Sequence, residues 1–318
     1  MKIIQHIDNA KGKTLFSFEL LPPVKGQSIN SIYQTIDSLM EFKPPFIDVT
    51  YHREDYIYKQ HPTGLLERIS YRKRPGTVAI CAAIMNKYKV DAVPHLICGG
   101  FTKEETENAL IDLHFLGIDN VLVLRGDARK TETDFIPTPG GHTYATDLLQ
   151  HVSNMNNGVY LHEDIENSEK TNFCIGVAGY PEKHFESPNF KTDFNYLRKK
   201  VEMGADFIVT QMFFDNQKYK DFVHKCRQEG IMVPIIPGLK PITSAKQLIS
   251  LPKVFNLDIP IELSEAVSAC KNAQDVRQVG VDWMVEQCKD LMDFGAPVLH
   301  FYTMGNPGPT KQVLEKIS

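Results

Sequence analysis

No two of the six cysteines, at positions 81, 98, 174, 226, 270 and 288, form a C-x-x-C pair. That argues against a zinc ribbon or a redox dithiol and fits scattered thiols in a reducing cytosol. No apolar run nears the roughly 20 residues of a membrane span, and the start, Met-Lys-Ile-Ile-Gln-His, has no long apolar leader core. An excess of one charge is missing too: the net charge is −4 over 318 residues. Composition therefore gives no case for nucleic acid or for an anionic membrane. Neither a G-x-G-x-x-G nor a P-loop occurs, so an open doubly wound nucleotide-binding sheet lacks its usual sign. A cytoplasmic, soluble protein is expected.

What is present is organised around residues 15–23, Leu-Phe-Ser-Phe-Glu-Leu-Leu-Pro-Pro. An apolar run closed by two prolines reads as a buried strand. Glu19 interrupts it. A carboxylate in that setting is either paired with a cation at a barrel rim or kept neutral by a raised pKa, the condition a general acid needs.

Further strands are predicted over 46–51, 91–98, 121–125, 173–178, 207–212, 232–237 and 297–302. Helical stretches alternate with them, over 28–42, 77–87, 102–116, 146–152, 189–203, 216–229, 244–249, 264–294 (broken near Asn272) and 310–317. Ser28 and Thr102 are plausible caps, the latter followed by acidic first-turn residues. The alternation spells an α/β fold: a parallel (β/α)8 TIM barrel with extra helices, one domain over 1–318. Residues 126–142 and 153–172 are polar and read as two long surface loops.

Barrel enzymes carry their chemistry at the C-terminal ends of strands. Those ends hold Glu19, Thr50-Tyr51-His52, His95, Arg125-Gly126-Asp127, Tyr180-Pro181-Glu182, Gln211, Pro237-Gly238 and Tyr302-Thr303. No metal-ligand spacing, nucleophile elbow or strand-ending lysine is expected among them. A rim of that kind assigns the hard chemistry to an organic cofactor.

Phe18-Glu19-Leu20-Leu21-Pro22-Pro23, Val49-Thr50-Tyr51, Pro94-His95-Leu96, Leu124-Arg125-Gly126-Asp127, Tyr180-Pro181-Glu182 and Thr210-Gln211-Met212-Phe213-Phe214-Asp215 together resemble the methylenetetrahydrofolate reductase family. Ile236-Pro237-Gly238 and His300-Phe301-Tyr302-Thr303 extend the likeness, which looks like the short bacterial type. The resemblance implies an FAD barrel. It would reduce methylenetetrahydrofolate to methyltetrahydrofolate in a ping-pong cycle, with NADH or NADPH as donor, and feed methionine synthesis. Carried over, Glu19 is the general acid and Asp127 an anion near flavin and folate. Gln211 and Gln247 would orient the pterin. FAD would meet Tyr51, His95, Arg125, Gly126, Asp127, Tyr144, Ala145, Tyr180, His184, Asp193, Lys199 and Lys200, and the dinucleotide Thr50. Taken plainly, adjacent Lys199 and Lys200 on an amphipathic helix are a solvated face.

Departures from the family pattern are His52-Arg53 after Tyr51, Leu251, Asn306 and the length of 126–142. Two alternatives stay open: another FAD barrel oxidoreductase of the proline dehydrogenase kind, or a non-catalytic folate- or flavin-binding partner. A homo-oligomer is expected.

Overall fold

The computed structural model describes every residue except 54, 72–73, 130–131 and 162–164. Its strands are β1 (Leu15–Leu20), β2 (Phe46–Val49), β3 (Asp55–Gln60), β4 (Leu66–Tyr71), β5 (Asp91–Ile97), β6 (Asn120–Leu124), β7 (Cys174–Gly179), β8 (Phe207–Thr210), β9 (Ile235–Ile236), β10 (Gly238–Leu239) and β11 (Val298–Tyr302). The helices are α1 (Ile3–Asn9), α2 (Asn30–Asp37), α3 (Thr77–Tyr88), α4 (Lys103–Phe115), α5 (Ala145–Asn156), α6 (Phe190–Glu202), α7 (Asn216–Gln228), α8 (Gln247–Phe255), α9 (Ile261–Ser268), α10 (Ala273–Asp293) and α11 (Gly308–Ile317). No described helix is long and apolar enough to cross a membrane.

The main sheet runs β10-β11-β1-β2-β5-β6-β7-β8-β9, with all pairs parallel. β9 and β10 are halves of one strand interrupted at Pro237. Proline has no N–H for the ladder, but its carbonyl accepts the His300 N–H at 3.1 Å. One half pairs with β8 and the other with β11, so the sheet closes into a barrel of eight strand positions.

The expected strands and helices recur, with shifted ends and two additions. α1 is too short to show a periodic pattern, yet Ile3 is fully buried against Phe46, Val93, Leu122, Phe207 and Val298. Its N–H donates to the Asn120 side-chain Oδ1 at 2.9 Å. Since Phe46, Asn120, Phe207 and Val298 all begin strands, α1 plugs the end opposite the mouth. The second addition is the antiparallel ribbon β3–β4, lying between β2 and α3 where no strand was expected. The polar segment taken to begin at 153 also starts later, because α5 continues to Asn156. The Asn156 carbonyl oxygen then accepts from Thr171 Oγ1 and the Phe173 N–H, both at 2.8 Å, and ties the segment back to the barrel.

α10 crosses the chain just beyond the mouth with no space between backbones. A Cβ on Gly280 would stand 1.8 Å from the Ile242 carbonyl oxygen. Alanine has the better helix propensity by about 1 kcal/mol, but overpacking against backbone is the larger effect. Gly280→Ala is expected to lower stability by about 3 kcal/mol, read by urea denaturation. A neutral result would mean that α10 can shift freely.

Candidate active site at the barrel mouth

Alternation along the strands places Leu15, Ser17 and Glu19 of β1 on the inside, with Phe16, Phe18 and Leu20 turned to the helices. The lowest interior layer is apolar: Phe46, Val93, Leu122, Phe207 and Val298. Above it lies a polar layer from Ser17, Asp48, His95 and His300, each at most 5% exposed. Ser17 Oγ and His300 Nδ1 are 2.8 Å apart. His95 Nε2 lies 3.5 Å from Asp48 Oδ2 and 3.8 Å from Glu19 Oε2. Both Asp48 oxygens and the Nε2 atoms of His95 and His300 lack hydrogen-bond partners among the described residues.

These contacts set the charges. Burial pushes the Glu19 carboxyl up to about 7; the nearby His95 opposes this and Asp48 adds to it. Burial alone would lower His95, but Asp48 and Glu19 outweigh it and hold the imidazole above its ordinary value. Burial lowers His300 and raises Tyr302. Glu19 thus stays protonated near neutrality through desolvation, not through a rim salt bridge.

The residues expected at a flavin fall on β2, β5, β6, β7 and the segments that follow them. Thr50 donates through its N–H to the Leu20 carbonyl at 3.1 Å, and the Tyr51 ring lies 4.8 Å from that of Phe101. Gly126, with φ of +84°, turns the chain after Arg125, and Asp127 is exposed. Arg125 makes a two-pronged pair with Glu186 and lies over the Phe135 ring at 4.9 Å. Tyr180 and His184 meet edge to face at 4.8 Å, and the His184 N–H donates to Asp193 at 3.1 Å. Lys200 is drawn inward, donating to the Ala178 carbonyl at 2.6 Å, and burial lowers its pKa to about 8. Together with Tyr180 and Asp193, Lys200 lines a small pocket. Its neighbour Lys199 points to solvent and is not gathered with it. Exposed Tyr144 and half-buried Ala145 open α5, where Asp147 accepts the Tyr144 N–H at 2.9 Å.

On the opposite side stand Glu19, Gln211, Gln247 and Tyr302. Gln211 follows β8, and its side-chain Oε1 accepts the Met212 N–H. Gln247 begins α8 with its carbonyl accepting from Thr243 and Ser244, so its amide N–H groups are what it can offer a ligand. Leu251 is buried with Met212, Phe214 and Ile242. Asn306 is exposed and accepts the Gly308 N–H.

Two departures from the family pattern explain each other. Arg53 is 8% exposed because Glu132, from the long segment after β6, pairs with it. Phe135 of the same segment takes both Arg53 and Arg125 against its ring. Reading strand ends alone missed Asp48, His300 and Lys240. Asp48 carries the same signal as Glu19, a carboxylate inside an apolar strand. Lys240 was hidden because Pro237-Gly238 looked like the strand's end, whereas the strand continues to Leu239. A lysine therefore does follow a barrel strand at the rim.

A closed parallel barrel with a protonated carboxyl, imidazoles and amides at its C-terminal mouth defines a barrel enzyme scaffold. A sequence profile described as methylenetetrahydrofolate reductase matches residues 2–318, and the chain belongs to that family. It is 33% identical over 316 residues to methylenetetrahydrofolate reductase (NADH) 1 of Arabidopsis thaliana, covering 96% of this chain and 48% of that protein. It thus spans about half the length of that plant relative. Against the 5,10-methylenetetrahydrofolate reductase of Salmonella typhimurium it is 29% identical over 303 residues, 94% of this chain and 89% of the other. A solved structure of an uncharacterised Clostridium thermocellum protein, which binds two copies of 5-methyl-5,6,7,8-tetrahydrofolic acid, shares the fold. Its TM-score is 0.55 at 15% identity, over 98% of this chain and 96% of that one.

Glu19 has a pH signature in stability. Unfolded, it ionises near 4.5; folded, near 7. Between those values the folded state binds more protons, so stability falls as pH rises, by about 3 kcal/mol in all. Glu19→Gln removes that penalty. Its stability relative to wild type should rise by about this much between pH 4.5 and pH 7.5, read by denaturant titration. A pH-independent difference would place an ionised Glu19 in the fold.

Proposed function

We propose that this chain is a flavin-dependent reductase that converts 5,10-methylenetetrahydrofolate to 5-methyltetrahydrofolate, with NADH or NADPH as donor. The observation that carries this reading is Glu19: a carboxyl buried in the mouth and protonated near neutral pH, in a chain of this family. The name of the Arabidopsis relative favours NADH. The ligand of the Clostridium neighbour is consistent with a folate at a mouth of this shape. A cytoplasmic homo-oligomer, each chain acting as one catalytic unit and feeding methionine synthesis, completes the proposal.

The residues fit an FAD. Arg125 and Lys200 offer cations suited to a diphosphate. Gly126, at positive φ and close against Ile97, turns the chain that carries Arg125, and His95 has an unpartnered Nε2 in the interior below the mouth. Thr50, Tyr51, Asp127, Tyr144, Ala145, Tyr180, His184 and Asp193 would complete the holding set, with Lys199 at most a solvent-side contact. When bound, the flavin supplies hydride transfer.

Glu19 performs the proton chemistry. Its carboxyl donates to the substrate nitrogen that leaves as the bridging methylene ring opens, and that proton transfer gives a substrate iminium. Asp127 stands at the mouth as an anion that favours the cation. The amide groups of Gln211 and Gln247 hold the pterin so that its reacting carbon faces inward. His95, whose pKa Asp48 and Glu19 hold above the ordinary imidazole value, stabilises the Glu19 carboxylate once its proton has gone.

Glu19→Gln should leave flavin reduction by the dinucleotide within a few-fold of wild type. The folate half-reaction should slow by about a hundredfold or more. Stopped-flow absorbance separates the two, and equal losses in both would make Glu19 structural. The lack of any separate dinucleotide motif implies that donor and folate share one face in turn. Initial rates at several fixed folate concentrations should then give parallel double-reciprocal lines, and intersecting lines would reject the shared face.

A further inference from the structure

Among the described lysines and arginines, Arg53 and Lys240 are buried, at 8% and 6% exposure. Arg53 is paired with Glu132. The less enclosed lysines Lys200 and Lys183 are also satisfied, the first by the Ala178 carbonyl and the second by the carbonyls of His184 and Ser187. The Lys240 ammonium has no hydrogen bond or ion pair with any described residue. The ammonium tip keeps some contact with water, but partial desolvation without a partner is still costly, and burial lowers its pKa.

Its position gives that cost a purpose. Ile236 belongs to the barrel interior, and Leu239 packs outward into the helix layer. Between them Gly238 faces inward so closely that a Cβ would meet the Thr210 carbonyl at 2.2 Å and the Tyr302 hydroxyl at 2.5 Å. The same alternation turns Lys240 inward one step above Gly238, and Pro241 after it holds the backbone extended. Lys240 therefore stands on the mouth beside Tyr302, on the side of Gln211 and Glu19 and away from Arg125 and Lys200.

We infer that Lys240 is an anion receptor of the mouth, taking an anionic oxygen of the ligand that lies over β8, β10 and β11. The inference rests on the proposed function for the identity of that ligand. A pterin has no anion to offer. The candidates are a glutamyl carboxylate of the folate or the diphosphate of the dinucleotide, both oxyanions that an ammonium binds as a point charge. The folded protein holds the cation ready and unpaired, so the ligand's anion meets it without first displacing a protein carboxylate.

The test uses flavin-loaded protein and the variants Lys240→Met and Lys240→Arg. The probes are 5-methyltetrahydrofolate, its counterpart lacking the glutamate (5-methyltetrahydropteroate), and NADH in anaerobic flavin reduction. Met should leave the melting temperature unchanged or higher, because it removes an unpaired buried charge. It should also weaken one ligand by about thirtyfold or more, with Arg restoring most of the loss. Weakened methyltetrahydrofolate with unchanged tetrahydropteroate binding identifies the carboxylate; a higher dissociation constant for NADH alone identifies the phosphate. All affinities within twofold of wild type would overturn the inference. So would a fall in melting temperature with general loss of binding, which marks a structural lysine. Wild-type protein that binds neither folate nor dinucleotide would overturn the proposed function itself, and the inference with it.

Discussion

Closure of the barrel through a strand broken at a proline is the constraint on which the mouth depends. Pro237 cannot donate, yet its carbonyl holds the His300 N–H, so β11 stays in register across the break. The Gly238 N–H then donates to Thr210 Oγ1 at 3.0 Å, and the Tyr302 hydroxyl donates to the Thr210 carbonyl at 2.6 Å. Three strands are drawn together at a point where no side chain longer than hydrogen would fit. That closeness sets Tyr302 beside Glu19 and turns Lys240 inward. It also fixes the segment at Ile242 against which α10 lies. A more regular strand here would have altered the mouth, because the break decides which residues rise above the last ladder bond.

The same closure puts ionisable groups where little water reaches. Asp48, His95 and Glu19 form an ascending series from the barrel interior to the mouth, and no strong cation neutralises them. Their balance rests on protons: a carboxyl whose pKa burial raises, an imidazole whose pKa the neighbouring Asp48 and Glu19 raise, and a second imidazole tied to Ser17. Such an arrangement is costly in stability, since each group would be better solvated in the unfolded chain. It is also responsive, since a charge arriving in the mouth changes the proton affinity of its neighbours.

The strand ends were legible because apolar runs and their closing residues repeat in strict alternation with helices. Glu19 was legible because a carboxylate in such a run has few explanations. Asp48 carried the same sign and went unread because it sits within a strand, not at its end. Lys240 was lost to a local rule: Pro-Gly usually ends a strand, and here tertiary pairing on both sides overrides it. α1 and the β3–β4 ribbon were illegible for another reason. One is seven residues long, and the other pairs only with itself, so neither leaves a sustained periodic trace. The Arg53–Glu132 pair joins residues 79 positions apart, and nothing in either neighbourhood announces the other.

That pair shows how the two halves of the mouth differ physically. On the side of β2, β5 and β6, cations are already met by the protein: Arg53 by Glu132, Arg125 by Glu186, and both by the Phe135 ring. A ligand with anionic groups binding there must compete with carboxylates, so part of its interaction is exchange. On the side of β8, β10 and β11, Lys240 has no partner among the described residues, and burial raises the Glu19 carboxyl to about 7. An anion arriving there gains its full contact with little displaced. One half thus suits a group that binds and stays, with many small contacts offsetting the exchange. The other suits ligands that come and go, since a single uncompensated charge gives affinity without a large surface to release.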